Sequence, residues 1–318
     1  MPKPKRHHTI PRVYLEDFVE EDQRLTVWSK RRRNYQRPKT TEALIRGHYY
    51  SQPVDGQLNA DQSIEAKLLN DLETRYPSFI DQLHSGKPNI DIELFVQTVV
   101  SLRARSAAFR EPFELGLADY VERATKNIPK GEMPVPPAGL EDIWDSIKVS
   151  IDPHRSLHAM AHYVRKYALV LSVLEYSVRV APNGARLFTS DNPVVWYERG
   201  YGSTSPIVYP QSISKDTRAV IPISDHEALV GVPSKTGDFK YNPHRMELSR
   251  QQVREINELQ LACAWDEVVG TAILPKISWD RFGGLAPRMD ISNYYPNTGE
   301  FWIDRTYLDV LRSKQKFG

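Results

Sequence analysis

The sequence predicts an α+β fold, with an antiparallel or mixed sheet built from the N-terminal and C-terminal halves around a central helical region. Three observations predict it. Strand-like runs of apolar and β-branched residues lie near the start, at Leu25, Val27 and Trp28, and return from Tyr176 to Val232. Between them apolar residues recur every three or four positions, as at Ile64, Leu68, Leu72 and Tyr76. The two patterns are segregated along the chain rather than alternating, as α+β folds require and βαβ folds do not.

Residues 1–55 read as a β-rich segment. Pro11 suits the first position of a short helix through Phe18. Arg31-Arg32-Arg33 reads as a basic hairpin or strand end, Gly47 to Ser51 as a strand fragment, and 55–62 as a loop. The helical region spans 63–176. Ser63 is a fitting N-cap, and Pro77 is expected to kink or divide its helix. A second helix runs from Asp91 to about Gly116, with a break or bend at Pro112 and a tail at 119–125. A proline-rich loop fills 126–140. A third helix opens at Asp152-Pro153, and its stretch from Tyr167 to Leu174 is apolar nearly all round, hence expected to be buried. The last part, 177–318, reads as strands at 187–189 and 194–197 and a loop at 199–214. An antiparallel pair at 217–223 and 228–232, a helix at 249–269 and an irregular tail follow. All of this is expected to form one compact unit over 1–318.

Of 318 residues, 40% are hydrophobic and 26% charged, ordinary for a globular chain long enough to bury a sizeable core. A net charge of +2 does not drive nucleic-acid binding by the whole-molecule field, so any such binding needs a local patch. The single Cys263 excludes an internal disulfide framework and a thiolate metal cage. No apolar run reaches membrane-spanning length, and the opening residues lack the apolar core of a signal peptide. The expected location is the cytoplasm, with no membrane partner. No phosphate loop, dinucleotide fingerprint or nucleophile elbow is present.

The most informative stretch is Arg186 to Val195. Ser190, Asp191 and Asn192 crowd three short polar side chains between two strand-like runs, and Pro193 restricts the backbone there. This predicts a carboxylate and an amide held at the mouth of a sheet. The His7-His8-x-Ile10-Pro11-Arg12-x-Tyr14-Leu15-x-x-Phe18 segment and the Phe188-Thr189-Ser190-Asp191-Asn192-Pro193-Val194 stretch together resemble the bacterial DUF4238 family, a domain of unknown function. A helix with Glu73, one with Arg103 and Arg105, the Ile221-Pro222-Ile223-Ser224 strand and the Asn257-bearing helix fit the same resemblance, over roughly 7–270. It implies one unit assembled from both ends of a bacterial chain and carries no activity with it.

Candidate chemistry follows from residue types. His7, Glu73 and Asp191 could ligate a divalent metal, Mg or Mn, whose bound water attacks a phosphodiester. His8 would serve as ligand or base beside Asp191, and Arg103 would steady the phosphate. Arg12, Asn192 and Arg105 are the expected substrate contacts, with Lys3, Lys5, Arg6 and Arg31 to Arg33 as further phosphate holders. The competing reading makes Asp191 a turn residue and Arg103 half of a buried pair with Glu73 or Asp191. His154, His158 and His162 share a helix face but lack the carboxylate of a zinc helix, so a polar face is the better reading. Cys263 reads as inert core. The leading expectation is a metal-assisted hydrolase, a nuclease acting on nucleic acid as a toxin or antiviral effector. The alternatives are a ligand- or protein-binding sensor module and a nucleotide enzyme in which Tyr49, Tyr50 or Trp196 stacks a base.

Overall fold

The computed structural model describes residues 6–47, 52–54, 57–61, 70–129, 163–200, 204–210, 212–272, 276–295, 297 and 300–310. The cap at Ser63, most of the proline-rich loop, the three spaced histidines, Tyr49, Tyr50, Lys3 and Lys5 lie outside them. The fold is α+β, with mostly antiparallel pairing and one mixed sheet.

The N-terminal segment supplies β1 (Arg6–His8), α1 (Arg12–Leu15), β2 (Thr26–Ser29), β3 (Asn34–Gln36) and β4 (Ile45–Gly47). β5 (Gln52–Val54) pairs with β6 (Gln57–Asp61), so the expected loop at 55–62 carries a strand. α2 (Asn70–His84) runs unbroken through Pro77, contrary to the expected division. Next come α3 (Ile92–Ala104), capped by Asp91, and α4 (Ala107–Lys126). The break falls at Arg105 and Ser106 rather than at Pro112. Ser106 is extended and its hydroxyl turns back to the Arg103 carbonyl, while α4 continues past Pro112 for the loss of one backbone donor.

α5 (163–171) leads into β7 (Leu174–Val180). This helix is two-sided: Tyr163, Tyr167 and Leu171 are buried, but Leu169 is 70% exposed, which corrects the expectation of burial all round. β8 (Thr189–Ser190), β9 (Val195–Arg199), β10 (Thr204–Ile207), β11 (Thr217–Pro222), β12 (Glu227–Pro233) and β13 (Lys240–Glu247) follow. β10 pairs with β9, so the presumed loop at 199–214 is partly strand. α6 (Arg250–Cys263) opens with a capping box between Ser249 and Gln252 and ends six residues short of the expected 269. β14 (Glu267–Gly270) takes up the remainder, where Val268 and Val269 suit a strand. The described residues of the tail are regular rather than irregular, forming α7 (Lys276–Phe282) and an antiparallel ribbon of β15 (Leu285–Tyr295) and β16 (Glu300–Val310).

A six-stranded sheet has the order β10-β9-β11-β12-β7-β13, antiparallel except for β13 against β7. Helices pack on both of its faces, α6 covering only part of one, which explains its continuous apolar runs. Trp196, Ile221, Leu229 and Tyr176 point into the main core with Phe79, Phe95 and Val99 of α2 and α3. Val195, Val220 and Ala228 point the other way, onto Val253, Ile256 and Leu259 of α6. A second sheet, β3-β2-β14-β8, joins strands from both halves of the chain. The Tyr14 hydroxyl fastens the two regions, donating to the Pro222 carbonyl at 2.6 Å and meeting Thr189 Oγ1 at 2.6 Å.

Candidate functional site

The Asp191 turn is interior. Asp191 is fully buried, and its carboxylate is clasped by three consecutive backbone amides just past α6. Oδ1 accepts from Trp265 at 2.8 Å, and Oδ2 accepts from Asp266 and Glu267 at 2.8 and 3.1 Å. Burial pushes its pKa up, while Arg46 and the amides pull it down. Ser190 Oγ donates to Gln260 Oε1 at 2.8 Å and receives the Asn192 amide at 3.1 Å. Asn192 donates through Nδ2 to the Cys263 carbonyl at 2.9 Å. Every one of these polar groups is turned inward, so the turn fastens β8 to the end of α6.

Arg103 is also buried, and its partner is neither Glu73 nor Asp191. Its guanidinium donates to Asn192 Oδ1 and, at 2.7 Å, to the Val208 carbonyl. Glu73 caps α1 from a distant helix: its carboxylate accepts the Arg12 amide at 2.9 Å and the Val13 amide at 3.2 Å. His7 is buried on β1, opposite Arg46 of β4. His8 is partly buried, and desolvation lowers its pKa against the pull of Glu73. Arg105 is buried and donates to the His8 carbonyl at 3.0 Å. Of the expected substrate contacts only Arg12 reaches solvent, where it pairs with Glu16 at 3.1 Å. Among the described residues no group of three or more His, Cys, Asp or Glu side chains is arranged to hold a metal ion. The carboxylates expected as ligands, Glu73 and Asp191, already spend their oxygens on backbone amides. Cys263 is buried, its thiol pushed up to about 11 by burial.

A family model described as a protein of unknown function, DUF4238, matches residues 6–272. The chain belongs to the DUF4238 family. No curated protein matches this DUF4238 chain. No solved structure matches it.

The groove that does face solvent was not read from the sequence. Where α6 leaves the six-stranded sheet uncovered, a cavity of about 210 Å³ opens between them. Arg179 of β7, Tyr197 and Arg199 of β9, and Arg218 of β11 rise from the sheet, with Val230 and Val232 of β12 as an apolar floor. Arg218 lies directly opposite Tyr197 in register, and period-two alternation puts Arg199 on the same face. A larger cavity of about 660 Å³ continues along α6 past Arg199, Glu255 and Leu259, with Arg250, Arg254 and Arg281 on its walls.

Six arginines thus border one groove against two glutamates, Glu255 and Glu258, which accept from Gln251 and Ser278. Among the described residues none of these six guanidiniums is ion-paired with a carboxylate. Elsewhere the fold pairs its arginines: Arg37 with Glu20, Arg46 with Glu111, Arg110 with Glu114, Arg186 with Asp225 and Arg245 with Glu227. The contact partners in the groove are neutral, as Arg250 donates to the Asn183 carbonyl at 2.9 Å and Arg218 to the Lys215 carbonyl at 2.8 Å. Burial lowers the Arg179 pKa. The only sequence signal was arginine at 179, 199 and 218 on strands and at 250 and 254 on one helix, positions that become neighbours only through the pairing order.

Proposed function

We propose that this chain is a binding module for phosphate-rich ligands, which it takes in the arginine groove between α6 and the six-stranded sheet. The observation that carries the reading is the concentration there of guanidiniums that, among the described residues, have no carboxylate partner. Arginine presents a planar fork of donors matched to phosphate oxygens, and a concave wall of like charge attracts anions at long range. The near-neutral whole chain does not oppose this, because the field in question is local. The groove supports binding rather than cutting: neither His8 nor Asp191 lines it.

The test is titration calorimetry with inorganic polyphosphate at several salt concentrations. Binding should weaken steeply with salt, and the paired change Arg254→Glu with Arg281→Glu should lower affinity at least tenfold and flatten the salt slope by roughly one unit per lost phosphate contact. Salt-independent binding, or a double variant that binds as the parent does, would remove the groove from the function.

A further inference from the structure

We infer that the phosphate-rich ligand is single-stranded nucleic acid, with its backbone on the groove arginines and its bases stacked on an adjoining aromatic platform. This rests on the groove reading above and adds a second, separate observation. At the far end of the groove the wall is Arg281 and Phe282, the guanidinium lying 4.7 Å over the ring. Phe282 and Trp279 come from α7, and both pack beside Trp28 against the same small core. Trp279 and Trp28 have ring centroids 5.7 Å apart, and Trp28 and Tyr35 4.8 Å apart. Three of these rings, Trp279, Trp28 and Tyr35, therefore run in a row outward across β2 and β3, and Phe282 at the groove wall packs on the same core.

This row is not sealed. Tyr35, at its outer end, is 44% exposed, and the other three rings are only partly buried. The turn that joins β2 to β3, between Ser29 and Asn34, carries Arg32 and Arg33, both exposed. A row of aromatic rings flanked by cations suits a chain of alternating bases and phosphates. Unpaired bases can lay their faces on such rings, whereas duplex bases have theirs covered by neighbours. Phosphate alone has no use for the rings, so the platform separates nucleic acid from other polyanions.

The test uses the whole chain with polyuridylate, oligothymidylate, a duplex of matching length and inorganic polyphosphate. Both single strands should bind more tightly than the duplex and polyphosphate and should quench tryptophan fluorescence. The difference between the two strands shows whether RNA or DNA is favoured. Tyr35→Ala should weaken single-strand binding about tenfold, leave polyphosphate binding and the melting temperature unchanged, and be rescued by Tyr35→Phe. Trp279→Phe keeps a ring for the fold and should cut the quenching. If polyphosphate binds but single strands bind no better, or if Tyr35→Ala has no effect on them, the platform is structural and this inference fails while the groove reading stands. If no polyanion binds, both fail.

Discussion

Replacing Asp191 with alanine would leave the amides of Trp265, Asp266 and Glu267 facing a space without an acceptor. A buried donor left unmade costs more than a made bond contributes, and three lose one charged acceptor together. We expect Asp191→Ala to lower the unfolding free energy by about 3 kcal/mol or more, read as the shift of a urea midpoint. A variant as stable as the parent would return Asp191 to chemistry. Arg103 carries the same lesson. Its charge is buried against the Asn192 side-chain amide and one backbone carbonyl, so it holds the turn in place rather than waiting for a substrate.

At the scale of elements, close approach decides what the fold tolerates. α4 crosses β15 at Gly116, where an added Cβ would come within 2.4 Å of the Met289 carbonyl oxygen. Alanine in a helix interior gains up to about 1 kcal/mol over glycine. That gain is smaller than the cost of pushing a helix off a strand, about 1–3 kcal/mol for overpacking. Gly116→Ala should therefore destabilise the chain on balance, which a thermal melt would show. A rise in melting temperature would mean that the ribbon of β15 and β16 yields freely. α6 holds a different balance. Its buried side seals one face of the sheet, while its exposed side carries Arg250 and Arg254 to the groove.

For the whole molecule, the second sheet is stitched from both ends of the chain, so a change of charge within it is felt in global unfolding. Glu267 stands at the start of β14 in that sheet. Burial, and then the neighbouring Asp191 charge, push its carboxyl from 4.5 up to about 7. An acid raised in the folded state binds its proton more tightly there than in the unfolded chain. Its stabilising share is full below about pH 4.5 and is lost as pH climbs to about 7. Asp17, pushed up to about 6 by burial, acts in the same direction. Glu267→Gln should flatten part of the fall in melting temperature across that window, and an unchanged profile would assign the fall to other groups. The groove arginines lie outside this sheet, so polyphosphate binding there and the pH response should vary independently.

The sequence by itself determined the α+β class, the segregation of strand and helix, the pairing of β11 with β12 and the Ser249 start of α6. Each follows from periods of two or 3.6 and from caps that bond their own neighbours. It also marked the Asp191 turn as special. What it could not hold is where α6 stops. No glycine or proline ends it; Lys30 does so from 232 residues away, donating to the Ala262 carbonyl at 3.4 Å and to the Ala264 carbonyl at 2.8 Å. Asn192 takes the Cys263 carbonyl between them. The role of Asp191 and the gathering of the groove arginines were decided in the same way, by partners supplied from remote parts of the chain. Burial and strand order turn a suggestive carboxylate into a clasp and scattered arginines into a surface, and neither is a property of local sequence.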